Sequence, residues 1–313
     1  MMTVFLRAIP AFAGVLACTS CSTGQVEQEA VTAAPTEVVQ AVATPTSAPP
    51  PEPVLPEPPA GPSTFLFDGE LTQGGWLRGQ APAGTVTATL DGTALVLDDT
   101  GRFFAAFDRD ADTTATLRAT LADGSRVESP LTVSPRSWNL ERVNVARRSG
   151  GPSASFLRRR RPELAQINAA RSVNADIGGW RQDFIWPVTG RISGRFGSQR
   201  IYRSEPGSYH SGIDVARPTG TPFVAPADGV VTLASDRPFS LEGYLLIIDH
   251  GNGLNSAFLH CSKIAVSEGE TVRQGQYIGD IGSTGRATGP HLHWGLKWRS
   301  ARLDPLLFTG PMP

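Results

Sequence analysis

The chain has 313 residues, with 28 Lys and Arg against 29 Asp and Glu and a formal net charge of −1 at pH 7. That balance excludes the overall positive field of a general nucleic-acid binder, and three cysteines in such a length exclude a disulfide-stapled scaffold. With 40% hydrophobic residues the chain can build more than one core.

Residues 1–17 carry Arg7 and then a short apolar run that ends in small residues. The run is too short to cross a bilayer and reads as a secretory signal peptide. The tetrad Val15-Leu16-Ala17-Cys18 resembles a bacterial lipobox, which would leave Cys18 as a lipidated N-terminus. Each buried methylene of such an anchor contributes about 0.8 kcal/mol; an ordinary signal-peptidase site is the alternative. Residues 18–62 form the next unit. From 19 to 62 there is no Lys or Arg, five Glu, and ten prolines beginning at Pro35. This composition cannot bury a core and predicts a disordered or polyproline-like tether. At about 3.1 Å per residue the segment reaches roughly 130 Å when extended, enough for an enzyme anchored in one layer to act in another.

Residues 63–135 show strand-like runs at 65–67, 74–79, 85–90, 95–97, 102–107, 114–121 and 131–134, separated by Gly and Asp-Gly turns. They predict a small immunoglobulin-like β-sandwich without His or Cys, hence a spacer or binding module. Trp76 reads as core, with Gln73 and Arg78 as candidate ligand contacts. Residues 136–180 read as an Arg-rich, partly helical connector, in which Pro162 predicts a helix starting at Glu163. The run Arg158–Arg161 reads as a solvated face, with an anionic envelope surface as the next alternative and nucleic acid excluded as a partner.

From 181 to 313 short alternating runs recur at 223–225, 229–234, 244–249, 254–259, 277–281 and 291–297. They are punctuated by Gly, Pro, Asn and Ser, so the fold class is all-β. All five histidines, His210, His250, His260, His291 and His293, fall in this region. On an extended strand alternate side chains share a face. His291, His293 and Gly295 then face one way, with Leu292, Trp294 and Leu296 toward a core. The same parity puts His210, Gly212 and Asp214 together, with Gly212 leaving room for an ion or a substrate backbone. Imidazoles with one carboxylate meet the needs of a zinc site with an open position. His250 lies in a turn sequence, Asp249-His-Gly-Asn-Gly253, and reads as structural. Cys261 reads as a small buried residue facing away from His260, not as a nucleophile.

The residues carrying a family resemblance are Trp186-Pro187, Arg195-Phe-Gly197 and His210-Ser-Gly-Ile-Asp214. They continue through Gly220-Thr-Pro-Phe-Val-Ala-Pro-Ala-Asp-Gly229, Asp249-His-Gly-Asn-Gly253, Phe258-Leu-His260 and Gly269-Glu-Thr-Val272-Arg-Gln-Gly275-Gln276. The run Gly285-Arg-Ala-Thr-Gly289-Pro-His-Leu-His293-Trp294 closes the set. Together they resemble the M23 zinc metallopeptidases, the lysostaphin-type or LytM peptidoglycan endopeptidases. The resemblance implies a β-sheet groove, Zn2+ held by His210, Asp214 and His293, His291 as general base, and His260 stabilising the developing oxyanion. It also implies a peptidoglycan peptide as substrate. Phe258 stands where relatives often have Tyr, which removes a phenolic donor near the cleft, and Cys261 stands where an aliphatic residue is usual. The expected protein is a secreted zinc endopeptidase of peptide cross-links, a periplasm-facing outer-membrane lipoprotein. The alternatives are a non-catalytic cell-wall binding protein or amidase activator, and a structural envelope tether.

Overall fold

The computed structural model describes residues 60–146 and 151–313. The signal peptide, most of the tether, Cys18 and Cys21 lie outside the described residues, as do Arg147 and Arg148. Among the described residues no helix is long and apolar enough to cross a membrane.

The N-terminal half of the described chain is a pair of antiparallel sheets. One has the order Leu66–Gly69, Trp76–Gln80, Arg102–Ala106; the other runs Thr93–Ala94, Thr85–Leu90, Thr114–Leu121, Arg126–Thr132. Alternation decides the inside: in Thr114–Leu121 the residues Ala115, Leu117 and Ala119 are buried while Arg118 is exposed. Leu77, Phe103 and Phe104 from the first sheet join them in one core. The expected strands at 85–90 and 114–121 form with those bounds. The run at 95–97 instead lies beyond a two-residue strand, Thr93–Ala94, because the Asp91-Gly92 turn, with both residues at positive φ, closes a tight hairpin.

The C-terminal half is built on a larger sheet. Its order is Thr271–Val272, Gly229–Ala234, Tyr244–Asp249, Leu254–Cys261, His291–Trp298, Ile213–Ala216, Arg191–Gly194, with Ala301–Leu303 paired onto the end of His291–Trp298. Ile213, Val215, Ile248, Phe258, Leu292, Trp294 and Leu296 line its core side. The two halves are not separate bodies. A single apolar cluster runs from Phe65 and Leu77 through Phe104 to Trp294, Trp298 and Phe308. Trp76 sits at this seam: its ring packs on Phe104 and Phe308, and its indole N–H donates to the Leu307 carbonyl at 2.8 Å. Gln73 and Arg78, candidate ligand contacts by sequence, are also used internally. Gln73 ties to Ala111 and Arg136, and Arg78 to Asp183 and the Gln182 carbonyl.

The segment between the halves departs furthest from expectation. Its helix spans Ala154–Ser172, beginning nine residues before the expected Glu163. Ser153 caps it through its hydroxyl, which accepts the Phe156 N–H, so Pro162 is carried inside the helix. Tertiary packing holds it there. Ile167 and Ala170 pack on Leu233, Leu245, Ile247 and Ala257 of the large sheet. Arg160, expected to be solvated, grips both carboxylate oxygens of Glu242 at 2.6 Å. The connector also contributes a strand, Leu140–Val143, which pairs in parallel with Gln199–Tyr202 of the hairpin that leads into His210.

Candidate active site

Three of the five histidines and one carboxylate meet on the non-core side of the large sheet. Cross-strand pairing places Asp214 directly opposite His293, and alternation turns His291 to the same side. His210 is not part of that strand, which starts at Ile213, so simple parity does not place it. It is held instead by the loop at Arg195–Ser198. The His210 N–H donates to the Ser198 carbonyl, its own carbonyl accepts the Gly197 N–H, and its Nδ1 lies 3.2 Å from the Arg195 carbonyl oxygen.

A carbonyl oxygen only accepts, so the imidazole nitrogen facing it carries the proton. That leaves the Nε2 of a neutral His210 as a lone pair, 3.0 Å from Asp214 Oδ1 and 3.1 Å from His293 Nδ1. The latter is itself 2.8 Å from the same carboxylate oxygen. Three electron-rich atoms so close together need extra protons or one shared cation. Two imidazole nitrogens and a carboxylate oxygen suit a zinc ion, and the edge of a tetrahedron with bonds of about 2.0 Å is about 3.3 Å. The residues therefore fit a metal, with His210, Asp214 and His293 as its donors.

The electrostatics follow the same contacts. Burial pushes the Asp214 carboxyl up, but hydrogen bonds from His210 and His293 outweigh it and hold the group well below the usual carboxylate range. Burial likewise works to lower His210, and Asp214 overrides it to raise the group. In His293 burial prevails and the imidazole is lowered.

Two glycines make this closeness possible. A Cβ on Gly212 would collide with the Trp294 carbonyl and stand 2.8 Å from His293 Nε2; one on Gly194 would strike the Asp214 carboxylate. Gly212 therefore admits the neighbouring strand, where the sequence reading reserved space for an ion or substrate.

His260 and His291 complete the cluster, their rings 4.9 Å apart. His291 Nδ1 faces the Gly289 carbonyl at 2.8 Å, and its Nε2 is 3.8 Å from Asp214 Oδ1. His260 Nδ1 faces the Thr284 carbonyl at 2.8 Å. By the same reasoning both neutral rings present an unprotonated Nε2. Burial, opposed by the Thr284 carbonyl, lowers His260.

His260 reaches this side through a β-bulge. Between the pairs Tyr244↔Cys261 and Leu246↔Phe258 the Leu254–Cys261 strand has one extra residue, and His260 sits there at φ 66°. Phe258 consequently stays in the core, 5.3 Å from the Phe223 ring, so a hydroxyl in its place would not reach the cleft. Cys261 is buried as expected, and burial pushes its thiol up to about 12. His250 is structural, but it does not bond its own turn. Its ring bridges the Asp228 carbonyl and Ser256 Oγ, and burial lowers it to about 4.

Sequence reasoning missed the support around His260. Its backbone N–H donates to the Glu242 carbonyl, and Arg160 fixes the Glu242 carboxylate from the long helix. Glu163 of the same helix takes the Ser240 N–H and hydroxyl. The paired signal, Arg160-x-x-Glu163, was present but read as surface charge.

A β-sheet carrying an Asp and four His around one donor triangle defines a metallopeptidase type of site. Residues 208–305 match the model of Peptidase family M23, and the chain carries a domain of that family. It is 40% identical over 126 residues to the peptidoglycan DD-endopeptidase ShyA of Vibrio cholerae, a match covering 39% of this chain and 28% of ShyA. It is 40% identical over 127 residues to the DD-carboxypeptidase/endopeptidase Mpg of Neisseria meningitidis, again 39% of this chain and 28% of that protein. A lipoprotein NlpD/LppB homologue of Pseudomonas aeruginosa is 36% identical over 134 residues, 42% of this chain and 40% of the homologue. The chain thus aligns with under a third of the length of ShyA and Mpg. A crystal structure of an M23 peptidase from Pseudomonas aeruginosa superposes with a TM-score of 0.57 at 28% identity, over 77% of this chain and 95% of that one.

Proposed function

We propose that the protein is a zinc-dependent endopeptidase hydrolysing peptide cross-links of peptidoglycan. The observation that carries this reading is the convergence of His210 Nε2, Asp214 Oδ1 and His293 Nδ1 beside two further imidazoles with free Nε2 atoms. His210, Asp214 and His293 would hold Zn2+, which supplies Lewis-acid polarisation of the carbonyl and acidification of water. His291 Nε2 is the proton acceptor. It takes a proton from the attacking water as the new C–O bond forms, and returns it to the amine as the C–N bond breaks. His260 acts on the developing oxyanion. Since its Nδ1 proton is committed to Thr284, it does so only with a proton on Nε2 as well.

The named activities of ShyA and Mpg favour a DD bond, such as D-alanyl–diaminopimelate, over a polyglycine bridge. The NlpD/LppB relative, itself named a lipoprotein, supports lipidation at Cys18 and a periplasm-facing outer-membrane anchor. Complete donor and base positions favour an enzyme over an amidase activator or a cell-wall binding protein. The test is digestion of purified peptidoglycan by the zinc-loaded chain beside Asp214→Ala and His291→Ala. New amine ends released only by the wild type, with one zinc per chain, uphold the reading, and the fragment masses name the bond. A wild type that carries zinc yet cleaves no cross-link, even as residues 181–313, sinks it.

A further inference from the structure

Strand alternation carries one face of His291–Trp298 well past the histidines. His293 is paired with Leu259, Gly295 with Ala257 and Lys297 with Asn255, so Lys297 lies on the same side as His291 and His293. At about 3.3 Å per residue it stands roughly 13 Å along the strand from His293. There the last turn of the long helix, the turn at Gly253 and Val96 of the sandwich close a cavity of about 420 Å³. Its lining includes Arg171, Lys297 and Arg299 together with Asn168 and Asn174, and no carboxylate. Arg302, the cross-strand partner of Lys297, adds a fourth cation nearby.

Such a gathering needs a counter-charge, and the fold does not provide one. Among the described residues none of these four cations forms a salt bridge. The carboxylates that act on them are already engaged. Glu242 is taken bidentately by Arg160, and Asp108 accepts the backbone N–H of Arg302 and the Tyr209 hydroxyl. Arg171 Nε is buried with no hydrogen-bond partner, a condition that native structures rarely leave without a ligand or solvent. Burial first, and then the neighbouring cations, lower both Arg171 and Lys297. The negative end of the helix accounts for one cation in its last turn, not for the others. Asn174 has its carboxamide oxygen tied to the Gly253 N–H, which leaves its NH2 group to donate.

We propose that this cavity is an oxyanion-binding site, in which Arg171, Lys297 and Arg299 hold a carboxylate or phosphate group. Neither the metal donors nor His260 and His291 belong to it. Guanidinium and ammonium groups around one cavity are the donors that charge-assisted recognition of such groups uses.

The test is calorimetric titration of the zinc-loaded 313-residue chain with inorganic phosphate at low salt. It is repeated on Asp214→Asn, so that phosphate held by the metal is not counted. Saturable binding should persist in Asp214→Asn and weaken about tenfold or more in Lys297→Gln and in Arg299→Gln. Arg299 is exposed, so its replacement keeps the test open even if Lys297→Gln fails to fold. A distant exposed control, Arg126→Gln, should bind as the wild type does. Competition by an N-acetylated dipeptide with a free carboxylate, but not by its amide, would identify a peptide carboxylate as the natural group. Phosphate binding with neither peptide competing would identify a phosphate source. Absence of saturable binding of either anion up to about 10 mM overturns the site, as does equal weakening in Arg126→Gln.

Discussion

The two β bodies of this protein use their polar residues in opposite ways. In the sandwich, Gln73, Arg78 and Arg109 reach outward and are satisfied by carbonyls, an amide or a carboxylate of neighbouring segments. In the large sheet, His210, Asp214 and His293 are aimed at one another, and their mutual contacts are left unreconciled. Satisfied polar groups fix how the bodies are joined. Unsatisfied ones mark the place where a ligand or a reaction is needed. The same contrast holds among the histidines, since His250 has both ring nitrogens bonded within the fold while His291 and His260 each keep one free.

That division can be broken experimentally. Asp214→Asn should abolish zinc binding and lower kcat/KM by about 10³-fold or more, about 4 kcal/mol, with the unfolding transition of the metal-free chain little changed. A variant that keeps both zinc and activity would remove the donor role assigned to this residue. Trp76→Ala should do the reverse, costing about 3 kcal/mol of stability by emptying the seam beside Phe104 and Phe308 while zinc stoichiometry holds. Chemical denaturation reads the first quantity and metal analysis the second.

His250 supplies a pH test. Its ring titrates at about 4 when folded, against about 6.5 in an unfolded chain, so the unfolded state takes up the proton first. The contribution is complete above about pH 6.5 and is lost as the pH falls through 4, at most about 3 kcal/mol. His250→Gln should flatten that part of the stability profile; an unchanged profile would show that other groups dominate it. The smallest effect expected is for Arg160→Ala. Releasing Glu242 should loosen the strand that presents His260, lowering kcat about tenfold with KM nearly constant, and Arg160→Lys should restore part of the loss. A change in KM alone would place Arg160 in substrate binding instead.

Much of this was legible in residue order. Period-two alternation located the strands at 229–234 and 244–249, and put Asp214, His291 and His293 on one face. Alternation failed where backbone irregularity decides. It would set Phe258 and His260 side by side, whereas the bulge sends one into the core and the other into the cleft. Local rules also misplaced the start of the long helix. Pro162 is a plausible first residue, but Ser153 and the packing of Ile167 and Ala170, on residues far away in sequence, extend the helix past it. The join between the bodies was invisible for the same reason, since Trp76 meets its partner carbonyl 231 residues later.

The ring tautomers of His210, His260 and His291 are chosen by the carbonyls of Arg195, Thr284 and Gly289. Every amino acid brings that oxygen, so no replacement of those three side chains can delete it. The protonation pattern of the site is therefore written in the path of three loops, and point mutation can alter it only by rerouting them. Sequence drift at Arg195 should consequently be tolerated far better than the loss or gain of a single residue in its loop.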